Sequence, residues 1–414
     1  MKSLETLPSS IVTQHRIDMD RTPEGPGRNF FILLDGTWNE ERSADSSGAL
    51  SNVRRLYDCL AADSAKQIAR YFRGVGNAQD NGWLKRKLHG FNGAGERAIR
   101  KAVFASIHKD YRPGDRLFIL GFSRGAACAR RLASDLERFG LYPSIEIESE
   151  CNANRITRQV ETRVLSYTGK GGSIPVEISF LGCWDTVGAF VLPLRFPNHP
   201  KLNRCISWWT DFRQRWNGDE PFRNLQVASN VKRAVHCVAI DETRNAFLPM
   251  LMAPEEHIEE VWFPGVHADV GGGYQRDGLA RITLDFMIAR LDQHVDKNGL
   301  HPIEWDDNGL GEYRSIEDEQ DYDFHYHGLS RGFRLNGKSL RRIRVRGADS
   351  SPQPIKPKLH VSVAELWQTD NAYAERKGKR WRVDYRPYNV TEINRIKDLM
   401  SLPESEWPFE WVES

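Results

Sequence analysis

The chain has 414 residues, room for one large α/β domain with insertions or for two ordinary domains. Hydrophobic residues make up 40% and charged residues 28%, which excludes a disordered chain, and a formal net charge of +2 removes global charge as an argument for nucleic-acid binding. No run of about 18 apolar residues is present, so a spanning helix is not expected.

The opening Met1-Lys-Ser-Leu-Glu-Thr-Leu-Pro8 lacks the apolar core of a signal peptide, so synthesis and residence in the cytoplasm is the expectation. Residues 1–28 are polar and read as a flexible lead-in, with Pro23-Glu-Gly-Pro-Gly27 at its end. Phe30-Phe-Ile-Leu-Leu34 predicts a buried strand, followed by Asp35-Gly-Thr-Trp-Asn39. An Asp-Gly there sits at the sheet edge where ligands bind in open α/β folds. Val53, Leu56, Tyr57 and Leu60 have helical spacing, and Ile68 to Phe72 predicts a further strand. Gly93-Ala-Gly95 lacks the third glycine of a dinucleotide fingerprint, and no cofactor is expected. Ile99, Val103, Phe104 and Ile107 form the apolar stripe of a helix.

The central stretch is Asp115-Arg-Leu-Phe-Ile-Leu-Gly-Phe-Ser-Arg-Gly-Ala-Ala-Cys-Ala129. A short apolar run leads into Gly121-Phe-Ser-Arg-Gly125, and small residues open the helix that follows. Strand, G-x-S-x-G, helix is the context of a nucleophile elbow. The alternative is a glycine-rich turn with a capping serine. A second match, Gly328-Leu-Ser-Arg-Gly332, has neither the strand before it nor the small-residue helix after it and reads as a decoy.

A polar stretch runs to about residue 174. Val176-Glu-Ile-Ser-Phe-Leu-Gly-Cys183 then predicts a strand ending in Trp184-Asp185. Residues 192–226, with Trp208, Trp209 and Trp216 among prolines and arginines, read as an insertion that is either a lid or membrane contact or a cover packed on the body. Arg233 to Ile240 predicts a strand followed by Asp241. Glu259-Glu-Val-Trp-Phe263 reads as the last clear strand, and Pro264-Gly-Val-His-Ala-Asp-Val-Gly-Gly-Gly-Tyr274 follows it. Residues 282–291 predict an amphipathic helix. Beyond about 300 the signal weakens: residues 317–321 are acidic, residues 338–346 basic, and Leu359-His-Val-Ser-Val363 reads as a strand or helix entry. The expected fold is α/β-hydrolase-like, a mostly parallel sheet flanked by helices. The catalytic domain spans 29–295, and an irregular C-terminal extension, 296–414, packs on it. Six scattered cysteines show no C-x-x-C pair and read as buried small hydrophobes.

A serine nucleophile needs a base, and the base an orienting acid, in the chain order Ser, Asp or Glu, His. His267, in a glycine-rich loop after a strand, is the leading base. His236 lies inside a strand and reads as a core histidine, His360 is a distant second candidate, and His325 and His327 sit in the polar tail. Asp185 leads for the acid, with Asp241 as runner-up and helix capping as the alternative role. Asp269 serves either to orient the His267 loop or to hold a cation. The Arg124 N–H and the Gly36 or Thr37 N–H are the candidate oxyanion donors.

Asp35-Gly-Thr-Trp-Asn39, Gly121-Phe-Ser-Arg-Gly-Ala126, Cys183-Trp-Asp-Thr-Val-Gly188, His236 to Arg244 and Phe263 to Tyr274 together resemble the Tle1-like phospholipase-effector catalytic domain of type VI secretion, over roughly residues 29–290. The resemblance implies a serine esterase or phospholipase whose triad maps onto Ser123, Asp185 and His267. It also implies a phospholipid or other lipid ester as substrate, peripheral membrane contact, a secretion-apparatus or immunity protein as partner, and delivery to a target cell. Two alternatives stay open. One is a metal-dependent phosphoester hydrolase in which Asp35, Asp185, His267 and Asp269 converge. The other is an interaction module without turnover.

Overall fold

Eight parallel strands form the sheet on which everything else is built. The computed structural model describes residues 10–19, 27–36, 50–74, 93–153, 160–188, 226–244, 247–314, 323–325, 341–345, 355–368, 373–376, 379–382, 385, 387, 389 and 407–413. In chain order the strands are β1 (Ser10–Asp18), β2 (Asn29–Leu34), β3 (Gln67–Phe72), β4 (Arg116–Phe122), β5 (Ser144–Ala153), β6 (Val160–Lys170), β7 (Ile178–Trp184), β8 (Ala234–Ala239), β9 (Ile258–Phe263), β10 (Asp323–His325), β11 (Lys358–His360), β12 (Tyr373–Arg376), β13 (Lys379–Arg382) and β14 (Glu410–Val412). The main sheet runs β14-β11-β9-β8-β7-β4-β2-β3. β2, β7 and β8 are buried along their whole length, which is why their sequences are apolar runs rather than alternations.

Helices cover both faces. On one, α2 (Gly93–Asp110) and α3 (Arg124–Phe139) pack Val103, Phe104, Ile107, Ala129 and Leu132 against Ile32, Ile119 and Leu181. On the other, α1 (Asn52–Cys59) and α5 (Gly278–Lys297) pack Val53, Leu56, Leu284 and Met287 against Leu33, Phe118 and Phe180. Helix α5 outruns the expected 282–291 at both ends. The short helices α4 (His267–Gly271), α6 (Asp307–Arg314) and α7 (Ser362–Gln368) complete the set among the described residues. β2 pairs with β3 on one side and β4 on the other, so the connections diverge there. The gap beyond the carboxyl ends of β2 and β4 is a topological switch point, the place where open α/β sheets bind ligands.

Three elements differ from the sequence expectation. Part of the lead-in read as flexible is strand: Ser10–Asp18 pairs antiparallel with β5 from end to end. The stretch read as merely polar holds the β5–β6 hairpin, and with β1 it makes a separate three-stranded sheet. Its Ile145 and Ile147 are buried while Glu146 is exposed, the alternation of a half-covered strand. Finally, β9 is not the sheet's last strand, because β11 and β14 extend the edge beyond it. β11 leads directly into α7, so residues 359–363 are both strand and helix entry. β10, β12 and β13 form a small third sheet. Of the cysteines, 59, 128, 183 and 237 are buried and Cys151 is half-buried. The insertion at 192–226 with Trp208, Trp209 and Trp216 is outside the described residues except at its last position, and Thr37 and the second G-x-S-x-G are outside them entirely.

Candidate active site

Ser123 lies between the end of β4 and the start of α3 with φ 60° and ψ −121°, a backbone region that costs a non-glycine residue on the order of 1–3 kcal/mol. The surroundings hold it there. Its N–H donates to the Trp184 carbonyl at 2.9 Å, and its own carbonyl accepts from Ala127 at the start of the helix. The flanking glycines are steric necessities. A Cβ on Gly121 would stand 2.6 Å from the Gly125 carbonyl carbon, and one on Gly125 would stand 2.2 Å from the Leu34 carbonyl oxygen. The tight turn projects Ser123 past the sheet edge, where it is 5% exposed.

His267 opens α4, just after β9. Its Nε2 lies 2.8 Å from Ser123 Oγ and its Nδ1 2.5 Å from Asp185 Oδ2. The acid needs Nδ1 to carry the proton, leaving Nε2 to accept from the serine hydroxyl. The ring sits between Phe122, at a centroid distance of 4.7 Å, and Phe247, at 4.8 Å. Burial disfavours the imidazolium and takes His267 below its ordinary value, against the pull of the Asp185 carboxylate.

Asp185 follows β7 with φ 38°, the other positive-φ non-glycine residue among those described. It is fully buried. Oδ1 accepts the Ala239 N–H at 3.0 Å and Arg341 Nη1 at 2.6 Å, while Oδ2 accepts Arg341 Nη2 at 2.9 Å as well as the imidazole. Burial works to raise this carboxyl. The Arg341 charge and the His267 hydrogen bond overcome it and hold the group well below the usual carboxylate range.

The other sequence candidates are committed elsewhere. Asp241 accepts the Gly265 N–H at 2.7 Å and the Tyr385 hydroxyl at 2.9 Å, and burial raises it to about 7. Its bonds therefore hold the loop before His267 and not the imidazole. Asp269 accepts the Val266 N–H at 2.9 Å and so closes the first turn of α4. Asp35 accepts the Ser51 hydroxyl at 2.9 Å, the Tyr71 hydroxyl at 2.5 Å and the Gly36 N–H at 2.6 Å. Gly36 lies beside the serine, since a Cβ there would be 3.4 Å from Ser123 Cβ, but its N–H points into its neighbour's carboxylate. Arg124 is the first residue of α3, so its N–H heads that helix. His236 is fully buried: Nε2 accepts the Thr186 N–H at 3.1 Å, which leaves Nδ1–H for Glu260 at 2.8 Å. It thus steadies the residue after Asp185. His360 pairs with Ser362 and stacks on Phe263, and burial takes it down to about 4.

Sequence reasoning passed over four contributors. Glu242 and Arg244 form a two-pronged ion pair, Glu242 accepts the His267 N–H at 3.3 Å, and Arg244 lies 3.8 Å over the Phe247 ring. Arg341 was visible only as one arginine in a basic run. Residues 341–344 alternate buried, exposed, buried, exposed, so the inward parity of Ile343 was the signal that could have marked it. Among the described residues, no group of three or more His, Cys, Asp or Glu side chains is arranged to hold a metal, and no helix is long and apolar enough to cross a membrane.

Comparison with known proteins gives the wider setting. An uncharacterized protein of Saccharomyces cerevisiae is 25% identical over 269 residues, 57% of this chain and 34% of that protein, so the chain spans about a third of its relative's length. Among solved structures, an uncharacterized protein from Pseudomonas aeruginosa is similar at 21% identity and a TM-score of 0.40, over 70% of this chain and 49% of that one. A Tle1 effector solved bound to the VgrG spike of the type 6 secretion system is similar at 18% identity and a TM-score of 0.35, over 62% and 52% respectively. Residues 28–290, more than half of the chain, match the family described as T6SS, phospholipase effector Tle1-like, catalytic domain. The chain belongs to this family.

Proposed function

We propose that the chain hydrolyses carboxylic esters of lipids, phospholipids first among them, with Ser123 as nucleophile, His267 as general base and acid, and Asp185 as the orienting acid. The observation that carries this reading is the unbroken hydrogen-bonded path from Ser123 Oγ through both ring nitrogens of His267 to Asp185 Oδ2. Ser123 Oγ attacks the ester carbonyl while its proton passes to Nε2. The tetrahedral intermediate collapses, Nε2 returns the proton to the departing alcohol, and an acyl-serine remains. Water, deprotonated by the same nitrogen, then releases the acid. The low imidazole basicity keeps the base unprotonated at neutral pH, and the ionised Asp185 stabilises the imidazolium when it forms.

In this reading the Arg124 N–H is one oxyanion donor, and the second comes from Gly36 or Thr37. Gly36 serves only once its N–H leaves Asp35 for the substrate. Residues 29–295 carry the triad, and the segment 296–414 adds β11 and β14 to the same sheet. Membership of the family supports delivery to a target cell after cytoplasmic synthesis, with a secretion-apparatus or immunity protein as partner. No observation favours the metal-dependent alternative, whose carboxylates are engaged as described.

The test is hydrolysis of a short-chain ester and of a phospholipid panel with product mass analysis, wild type beside Ser123→Ala. The variant should keep wild-type stability, lose labelling by a fluorophosphonate, and lose on the order of 10⁴-fold or more in kcat. Full turnover by Ser123→Ala would overturn the mechanism.

A further inference from the structure

Arg341 comes from a segment 51 residues beyond the matched family span, which ends at residue 290, yet it is 3% exposed and lies against the carboxylate that faces His267. Both terminal nitrogens are spent twice. Nη1 donates to Asp185 Oδ1 and to the Ala239 carbonyl at 2.7 Å, and Nη2 donates to Asp185 Oδ2 and to the Phe247 carbonyl at 2.5 Å. A planar fork with this reach fixes the plane of a carboxylate as well as its position. It also ties that carboxylate to the loop carrying Phe247, whose ring stacks edge-on against His267.

The arginine is anchored in turn. Asn389 Nδ2 donates to the Arg341 carbonyl at 3.2 Å and to the Ile240 carbonyl at 2.8 Å, and Tyr385 donates to Asp241. Three residues of the C-terminal segment therefore meet at the carboxyl end of β8, beneath the loop that carries the imidazole. Burying a guanidinium is costly, and these partners offset that cost only in this one geometry.

We propose that Arg341 is a positioning residue for Asp185, so that the proton relay at Ser123 is assembled only when the C-terminal segment is docked. This rests on the reading of Ser123, His267 and Asp185 as that relay. Arg341 touches neither the serine nor the imidazole and acts through the carboxylate. It does so in two ways: the fork holds Oδ2 in line with Nδ1, and the positive charge offsets part of the carboxylate's field at the ring.

The second effect has a sign. The charged groups facing His267 are Asp185 and Arg341, Glu242 paired with Arg244, and Asp269 on its own helix. Asp241, bonded to Tyr385, lies under the preceding loop. Glu242 and Arg244 act on the ring with opposite signs, and Arg341 offsets part of the pull of Asp185. Removing the guanidinium leaves Asp185 uncompensated, favours the imidazolium, and keeps the base protonated to higher pH.

The experiment is the pH dependence of kcat/KM for a soluble short-chain ester with wild type, Arg341→Gln, Arg341→Lys and Ser123→Ala, each checked for its thermal transition. Arg341→Gln should lose on the order of 10- to 100-fold in kcat with little change in KM, and its acid limb should move to higher pH. Arg341→Lys keeps the charge and loses the fork, so its acid limb should stay near wild type while kcat falls. This variant carries the test if the glutamine protein does not fold. Wild-type kcat and an unmoved acid limb in a folded Arg341 variant would overturn the proposal. If Ser123→Ala itself turns over normally, the relay reading fails first, and the two failures are thereby distinguished.

Discussion

Ser123 was the most legible residue in the sequence because its constraints are local. Gly121 and Gly125 allow the backbones of β4, β2 and α3 to approach more closely than any side chain would permit, and that requirement is written within five positions. His267 was legible for a similar reason, as a histidine in a glycine-rich loop after a strand. Arg341 was not, because what fixes it is a carboxylate 156 positions away. Asp241 illustrates the same limit from the other side. By position it rivalled Asp185, and only the direction of its carboxyl, toward Gly265 and Tyr385, separates the two. Its chemistry makes a prediction. Burial raises its folded-state value to about 7, whereas an unfolded aspartate titrates near 3.9. Between those values the folded state holds a proton that the unfolded state has released, so its contribution to stability is full below about pH 3.9 and is lost as pH rises toward 7. Asp241→Asn keeps an oxygen acceptor for both partners and removes the titration. Denaturant midpoints of the variant and wild type, compared from pH 5 to 8, should therefore diverge in the variant's favour as pH rises. Parallel curves would show that the folded-state carboxyl is already ionised at pH 5.

At the level of elements, continuous apolar runs betrayed the buried strands, and charge alternation concealed the half-buried ones. β5 offers only two apolar residues, Ile145 and Ile147, to the interior, among serines and glutamates, so its hydrophobic content looks like that of a loop. A period of two was present, but too few apolar residues marked it. Contacts between helices were even less visible. Asn52, in the first turn of α1, is fully buried, and its Nδ2 is within reach of the Val270 carbonyl at 3.0 Å, the Ala280 carbonyl at 2.7 Å and Thr283 Oγ1 at 2.9 Å. One amide thus links α1 to the end of α4, which starts at His267, and to the first turns of α5. Asn52→Ala deletes the donor and leaves buried carbonyls with fewer partners, at a cost of about 1–3 kcal/mol. Urea unfolding should show a lower midpoint at unchanged slope, with kcat reduced as α4 loosens. A midpoint equal to wild type would mean that Thr283, whose single hydroxyl proton is within reach of either carbonyl, suffices alone.

Across the whole molecule, the sheet is assembled from both ends of the chain. β2, β3, β4, β7, β8 and β9 come from residues 29–263, but the last two strands are contributed by residues 358–360 and 410–412, and a separate core forms where they dock. From the body it takes Val238, Ile240, Leu251, Trp262 and Leu279. From the C-terminal segment it takes seven buried side chains: Ile343, Leu359, Val363, Leu366, Trp367, Tyr385 and Phe409. At about 1.5–3 kcal/mol for each large side chain withdrawn from water, their burial is comparable to the 5–15 kcal/mol of net stability typical of a folded domain. Ending the chain at residue 300 would uncover Trp262 and Leu279, and would turn β9 into an unpaired edge on a parallel sheet that is otherwise paired up to that point. The C-terminal segment is therefore expected to be part of the folding unit rather than an attachment to a finished domain. The shortened chain should show no cooperative thermal transition and should associate through the exposed edge, as read by near-ultraviolet circular dichroism and sedimentation. A monomeric fragment that melts sharply and keeps the wild-type aromatic signal would show that residues 29–295 form their core unaided, and the contribution of the third core would then be confined to holding Arg341 against Asp185.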